Sequence, residues 1–108
     1  MKTLVIHTPD YQLRRPGTAS FSQVLATGIG PGYAISPADI AKLTIPGSPV
    51  VLLRKDRRKA RAEGTLENIS RTGKWTRNGR QRHDVHASGF KPVLYKSERL
   101  NRFGYNVI

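Results

Sequence analysis

The sequence predicts a mainly β, α+β fold: a small mixed or closed β-sheet, in effect a mixed β-barrel, carrying two short helices. Three observations predict it. Apolar residues gather in brief runs at 3–6, 50–53 and 93–95, the length of strands rather than helices. Residues 60–69 and 81–87 alternate with a period of two, as half-buried antiparallel strands do. Helix signals are short, and they interrupt the strands instead of alternating with them.

Residues 3–6 read as a buried first strand, ended by Thr8-Pro9-Asp10 and followed by loop chemistry at Arg14-Arg15-Pro16-Gly17. Residues 20–27 read as one or two helical turns. Ser20 or Thr18 supplies a cap, and Phe21, Val24 and Leu25 share one face. Gly28-Ile29-Gly30-Pro31-Gly32 breaks this helix and reads as a flexible loop or turn; it lacks the ending of a phosphate-binding loop. Ser36-Pro37-Ala38-Asp39 is the clearest helix start. Serine caps, proline at the first helical position loses nothing by lacking an N–H, and aspartate meets the positive end of the dipole.

Pro46-Gly47-Ser48-Pro49 stops that helix, and residues 50–53 form a central strand. A polar turn at 56–59 leads to the alternating strand 60–69, in which Gly64 marks a bulge or bend. Residues 70–79 read as a long basic loop. Two further strands follow at 81–87 and 90–96, the second marked as an edge by Pro92, and Phe103, Tyr105, Val107 and Ile108 supply a closing strand.

The chain has 108 residues and a formal net charge of +12, and reads as a single domain over 1–108. It has no cysteine, hence no disulfide and no thiolate metal site. The first apolar run is too short for a signal peptide and no run approaches the length of a membrane span, so the expected location is the cytoplasm. The charge is uneven: residues 54–82 hold eleven Lys or Arg against three acids, so +8 of the +12 sits there, with the lone tryptophan, Trp75, inside. Basic charge around an aromatic suits a polyanion whose bases can stack. A membrane surface would call for a basic amphipathic helix, whereas this block carries Gly64, Gly73 and Gly79, so no membrane partner is expected.

The order from residue 35 to residue 69 resembles the central part of the PUA-like superfamily, which includes EVE and ASCH domains. It runs short helix, Ile45-Pro46-Gly47-Ser48, Val50-Val51-Leu52-Leu53, basic turn, then Ala60-Arg61-Ala62-Glu63-Gly64-Thr65-Leu66-Glu67-Asn68-Ile69. With the opening strand and Arg80-Gln81-Arg82-His83-Asp84-Val85, the resemblance covers about two-thirds of the chain; Ser48 stands where the family usually has aspartate. It implies a PUA-like barrel and a reader of RNA rather than a catalyst, of a kind whose EVE relatives are built to hold a modified base among aromatic side chains.

Two basic arms are the candidate nucleic-acid contacts. Arg54, Lys55, Arg57, Arg58 and Lys59 form a cap at one turn. Lys74, Trp75, Arg77, Arg80, Arg82 and His83 form the other arm, with cations on phosphates and Trp75 either stacking a base or folding over the core. Tyr11, Tyr33 and Phe90 are secondary aromatic candidates. His83 and His86, three apart on a strand, point to opposite faces and make no chelate, so no metal and no cofactor is expected. Two alternatives stay open. One is a small metal-free ribonuclease, toxin-like, using His83 or His86 with His7 as acid and base. The other is a basic accessory protein that binds an acidic partner.

Overall fold

The computed structural model describes residues 1–8, 19–56 and 58–108. Its strands are β1 (Leu4–His7), β2 (Ile29–Tyr33), β3 (Pro49–Arg54), β4 (Ala60–Trp75), β5 (Gln81–Val93) and β6 (Tyr105–Val107); its helices are α1 (Phe21–Thr27) and α2 (Pro37–Ala41). All six strands join one sheet in the order β2-β5-β4-β3-β1-β6. The β1–β3 pair is parallel and the other pairs are antiparallel, so the sheet is mixed. It curls into a half-barrel rather than a closed barrel. Among the described residues, no helix is long and apolar enough to cross a membrane.

Strand alternation sorts the apolar residues onto two faces. Leu4, Ile6, Val50, Leu52, Ala62, Leu66, Val85 and Tyr105 line the inner face, where Phe21, Val24 and Ile35 close over them. Each such aliphatic side chain contributes about 1.5–3 kcal/mol by leaving water. The other parity puts Val5, Val51 and Leu53 on the outer face, where Tyr95 and Leu100 of the 94–104 segment cover them. Arg61 falls on that outer face opposite Leu53 and is only 9% exposed. Its guanidinium binds Glu63 (2.9 Å), Glu98 (3.1 Å) and the Lys96 carbonyl (2.9 Å), clamping the covering segment to β4. Burial works against its charge, but hydrogen bonds from Arg61 to Glu63 and Glu98 more than offset this, and the net shift is upward.

The caps behave as their local chemistry dictates. Ser20 and Gln23 form a reciprocal capping box on α1, and Gly28 ends the helix with φ 74°, its N–H donating to the Val24 carbonyl. Ser36 caps α2 with Pro37 in the first turn. Ser48 is fully buried and ties the turn before β3, its hydroxyl accepting from the Thr44 N–H at 2.8 Å. Gly64 sits at a register shift between β4 and β5; a Cβ there would lie 2.7 Å from the Ser88 carbonyl oxygen and 2.9 Å from the Phe90 ring. Further shifts follow between Leu66 and Asn68 and between Arg71 and Trp75, and such bulges bend a long hairpin.

Three segments differ from the sequence expectation. The long basic loop 70–79 is mostly strand: β4 runs to Trp75, and only 76–80 connect it to β5. The strand at 81–87 and the first part of the one at 90–96 are a single continuous strand, β5, which ends at Val93. The glycine-rich 28–32 stretch supplies most of β2, which pairs with β5 across a register shift between Gly30 and Tyr33. Pro92 does lie at an edge, because β2 pairs with β5 only from His83 to His86. The expected stop at 9–10, the loop at 14–17, Tyr11 and Arg57 lie outside the described residues.

Candidate nucleic-acid interface

The first arm follows β3 and the second flanks the β4–β5 turn, so they lie at opposite ends of the sixteen-residue strand β4. In the first arm the fold engages most cations. Arg54 Nε donates to the Arg58 carbonyl at 2.6 Å, and its guanidinium lies over the Phe21 ring. Lys55 Nζ donates to the Glu98 carbonyl at 3.0 Å, and Lys59 lies over Tyr95. The Arg58 and Lys59 side chains remain exposed. Here the Lys55 N–H reaches His7 Nε2 (3.4 Å), which lies 3.6 Å from an Asp56 carboxylate oxygen.

In the second arm Lys74, Trp75 and Arg77 are exposed, with Trp75 at 61%. The ring lines a cavity of about 230 Å³ together with Arg80, Gln81 and His83. This cavity continues the inner face: Gln81, His83 and Val85 share one parity on β5, so the run passes from the fully buried Val85 through His83 to the half-buried Gln81. Ile35 and Pro37, at the entry to α2, give it apolar wall.

Arg80 is held in place. One guanidinium nitrogen donates to the Tyr105 hydroxyl at 3.1 Å, and the group stacks 3.9 Å from the Phe103 ring centre. The same hydroxyl donates to Asp39 Oδ2 at 2.6 Å and accepts from the Ser36 N–H at 3.2 Å. Tyr105 therefore joins the hairpin tip, the start of α2 and β6. The Tyr105 hydrogen bond, followed by those of Ser36 and Lys42, holds the Asp39 carboxyl below its ordinary range, while partial burial acts the other way.

His83 is 5% exposed and its Nδ1 is buried without a hydrogen-bond partner. Burial, then the nearby Arg71 charge, lowers its pKa; backbone groups of Gln81 and Tyr33 pull upward without giving Nδ1 a bond. The ring is thus neutral near pH 7. Next to it, the Tyr33 hydroxyl donates to the His7 carbonyl at 2.9 Å, joining β2 to β1, and burial pushes that phenol far above the ordinary tyrosine range.

The opposite parity of β5 serves the scaffold. Arg82 donates to the Gly32 carbonyl at 2.8 Å, Asp84 accepts from the Gly32 N–H at 3.0 Å, and His86 Nε2 lies 2.9 Å from Ser70 Oγ. His83 and His86 are on opposite faces, and His7 has its own partners at the first arm. No cluster of three or more His, Asp or Glu side chains is placed to hold a metal among the described residues. Sequence reasoning missed Ser36, Tyr105 and Phe103 as the supports of Arg80, because their meeting depends on strand order, not on spacing. The chain matches no protein-family model, no curated protein and no solved structure.

Proposed function

We propose that this protein is a non-enzymatic module that binds single-stranded nucleic acid, RNA in preference to DNA, on a PUA-like half-barrel. The observation that carries the reading is Trp75: a ring 61% exposed at the rim of a cavity, in a hairpin bearing Lys74, Arg77 and Arg80. A soluble chain gains nothing from leaving its one tryptophan in water, whereas a base stacked on such a ring contributes about 1–3 kcal/mol. Lys74 and Arg77 would hold phosphates beside it, and Arg58 and Lys59 would add charge from the other end of β4. The preference for RNA rests on the resemblance of residues 35–69 to PUA-like domains.

Fluorescence anisotropy of a labelled oligouridylate, at low and moderate salt and against heparin, tests this. Affinity should fall steeply with salt, by a log–log slope near −0.7 per phosphate contacted, and unlabelled RNA should compete better than heparin. Absent binding or a flat salt response would remove the reading. Equal competition by heparin would leave only a polyanion or acidic-protein binder.

A further inference from the structure

The cavity beside Trp75 is smaller than the roughly 300–1,000 Å³ that drug-sized ligands occupy, and at about 230 Å³ it suits one planar ring. The walls from Ile35, Pro37 and Trp75 favour an aromatic face over a bare phosphate. The polar groups then decide which edge of that ring is accepted. Ser36 is already engaged, its hydroxyl with the Asp39 carboxylate and its N–H with Tyr105. Gln81 carries an amide that can turn to meet a donor or an acceptor. Discrimination falls on Arg80.

Arg80 spends one N–H on Tyr105 and, among the described residues, no other. The Phe103 stack fixes the plane of its fork. In His83 the enclosed, unpartnered nitrogen is Nδ1. Backbone groups of Gln81 and Tyr33 already act on this ring, so His83 serves as a wall of the cavity and the donors open to an occupant are those of Arg80. Among the described residues, no carboxylate lines the cavity. The held group is therefore a donor, and an occupant on it must bring acceptors. Guanine presents two adjacent acceptors, O6 and N7, in the spacing an arginine fork meets, whereas adenine sets its N6 amino group against those donors.

We infer that this cavity is a guanine-selecting subsite, with Arg80 on O6 and N7 and the ring on Trp75; the inference rests on the reading of the chain as a single-strand binder. Binding is measured for oligouridylates carrying one central guanosine, adenosine, inosine or 7-deazaguanosine. Guanosine and inosine should bind about tenfold more tightly than adenosine, and 7-deazaguanosine should lose most of that gain. Arg80→Met, checked for an unchanged fold by circular dichroism, should bring the guanosine-to-adenosine affinity ratio close to one, whatever it does to overall affinity. Equal affinity for guanosine and adenosine, or no loss with 7-deazaguanosine, would overturn the inference and leave single-strand binding intact. Failure of every oligomer to bind would overturn the underlying reading itself.

Discussion

The two basic arms carry similar charge but differ in what the fold does with it. At the turn after β3, Arg54, Lys55 and Lys59 lie on Phe21, the Glu98 carbonyl and Tyr95, so much of their reach is spent on packing. At the β4–β5 tip, Lys74 and Arg77 stand in water and Arg80 is buttressed at a cavity mouth. Positive charge along a sequence is therefore a poor guide to a binding surface. What separates a site from a solvated or structural cation is whether the charge is held in a fixed geometry yet left with donors to spare. Arg61 shows the other extreme: it belongs to the same basic run and serves only to clamp the 94–104 segment.

The contrast can be broken experimentally. The largest stability effect is expected at the scaffold cation. Arg61→Ala should cost about 2–3 kcal/mol in denaturant unfolding, less than a fully buried pair because Glu63 is half exposed, and leave affinity per folded molecule unchanged. Trp75→Ala should do the reverse, weakening RNA binding by about 1–3 kcal/mol with stability within about 0.5 kcal/mol of the parent. Tyr105→Phe joins the two behaviours: it should cost about 1–2 kcal/mol of stability and also weaken binding, because Arg80 loses its anchor. The double variant Arg58→Ala, Lys59→Ala should lower affinity modestly for every sequence and flatten the salt slope, with no change in base preference.

A last, smaller effect concerns protonation. The His83 ring, followed by NMR, should titrate below the ordinary histidine value of about 6.5. Because its folded pKa is depressed, its contribution to stability is present above the unfolded value and is lost as the pH falls through the folded one. Titration at or above the ordinary value would contradict the buried setting of this ring.

Local chemistry was readable; long-range placement was not. The Ser20 cap and the Ser36-Pro37 start depend on neighbours a few residues away, and each is found where the residues place it; the glycine at 64 marked its bulge through its missing side chain, although the strand it meets is β5. The end of β4 was opaque because Arg71, Gly73, Lys74 and Trp75 are exposed. With no buried face there is no alternation to read, and the strand is held by backbone pairing with β5. β2 was hidden by its glycines, although Gly30 is small for a packing reason: a Cβ would lie 2.9 Å from Ile6 Cδ1. Of the site, the opposed histidines followed from the alternation, whereas the sequence left Trp75 either stacking a base or folded over the core, and the Tyr105 support for Arg80 joins residues 25 apart and appears only once β6 is in place.

The most direct test of the central claim is the intrinsic fluorescence of Trp75 during titration with single-stranded RNA. An exposed ring should emit at a long wavelength in the free protein and be strongly quenched on binding, with a midpoint that moves to higher RNA concentration as salt is raised. Emission unchanged through saturation, with binding confirmed by anisotropy, would show that the RNA sits elsewhere and would contradict the account.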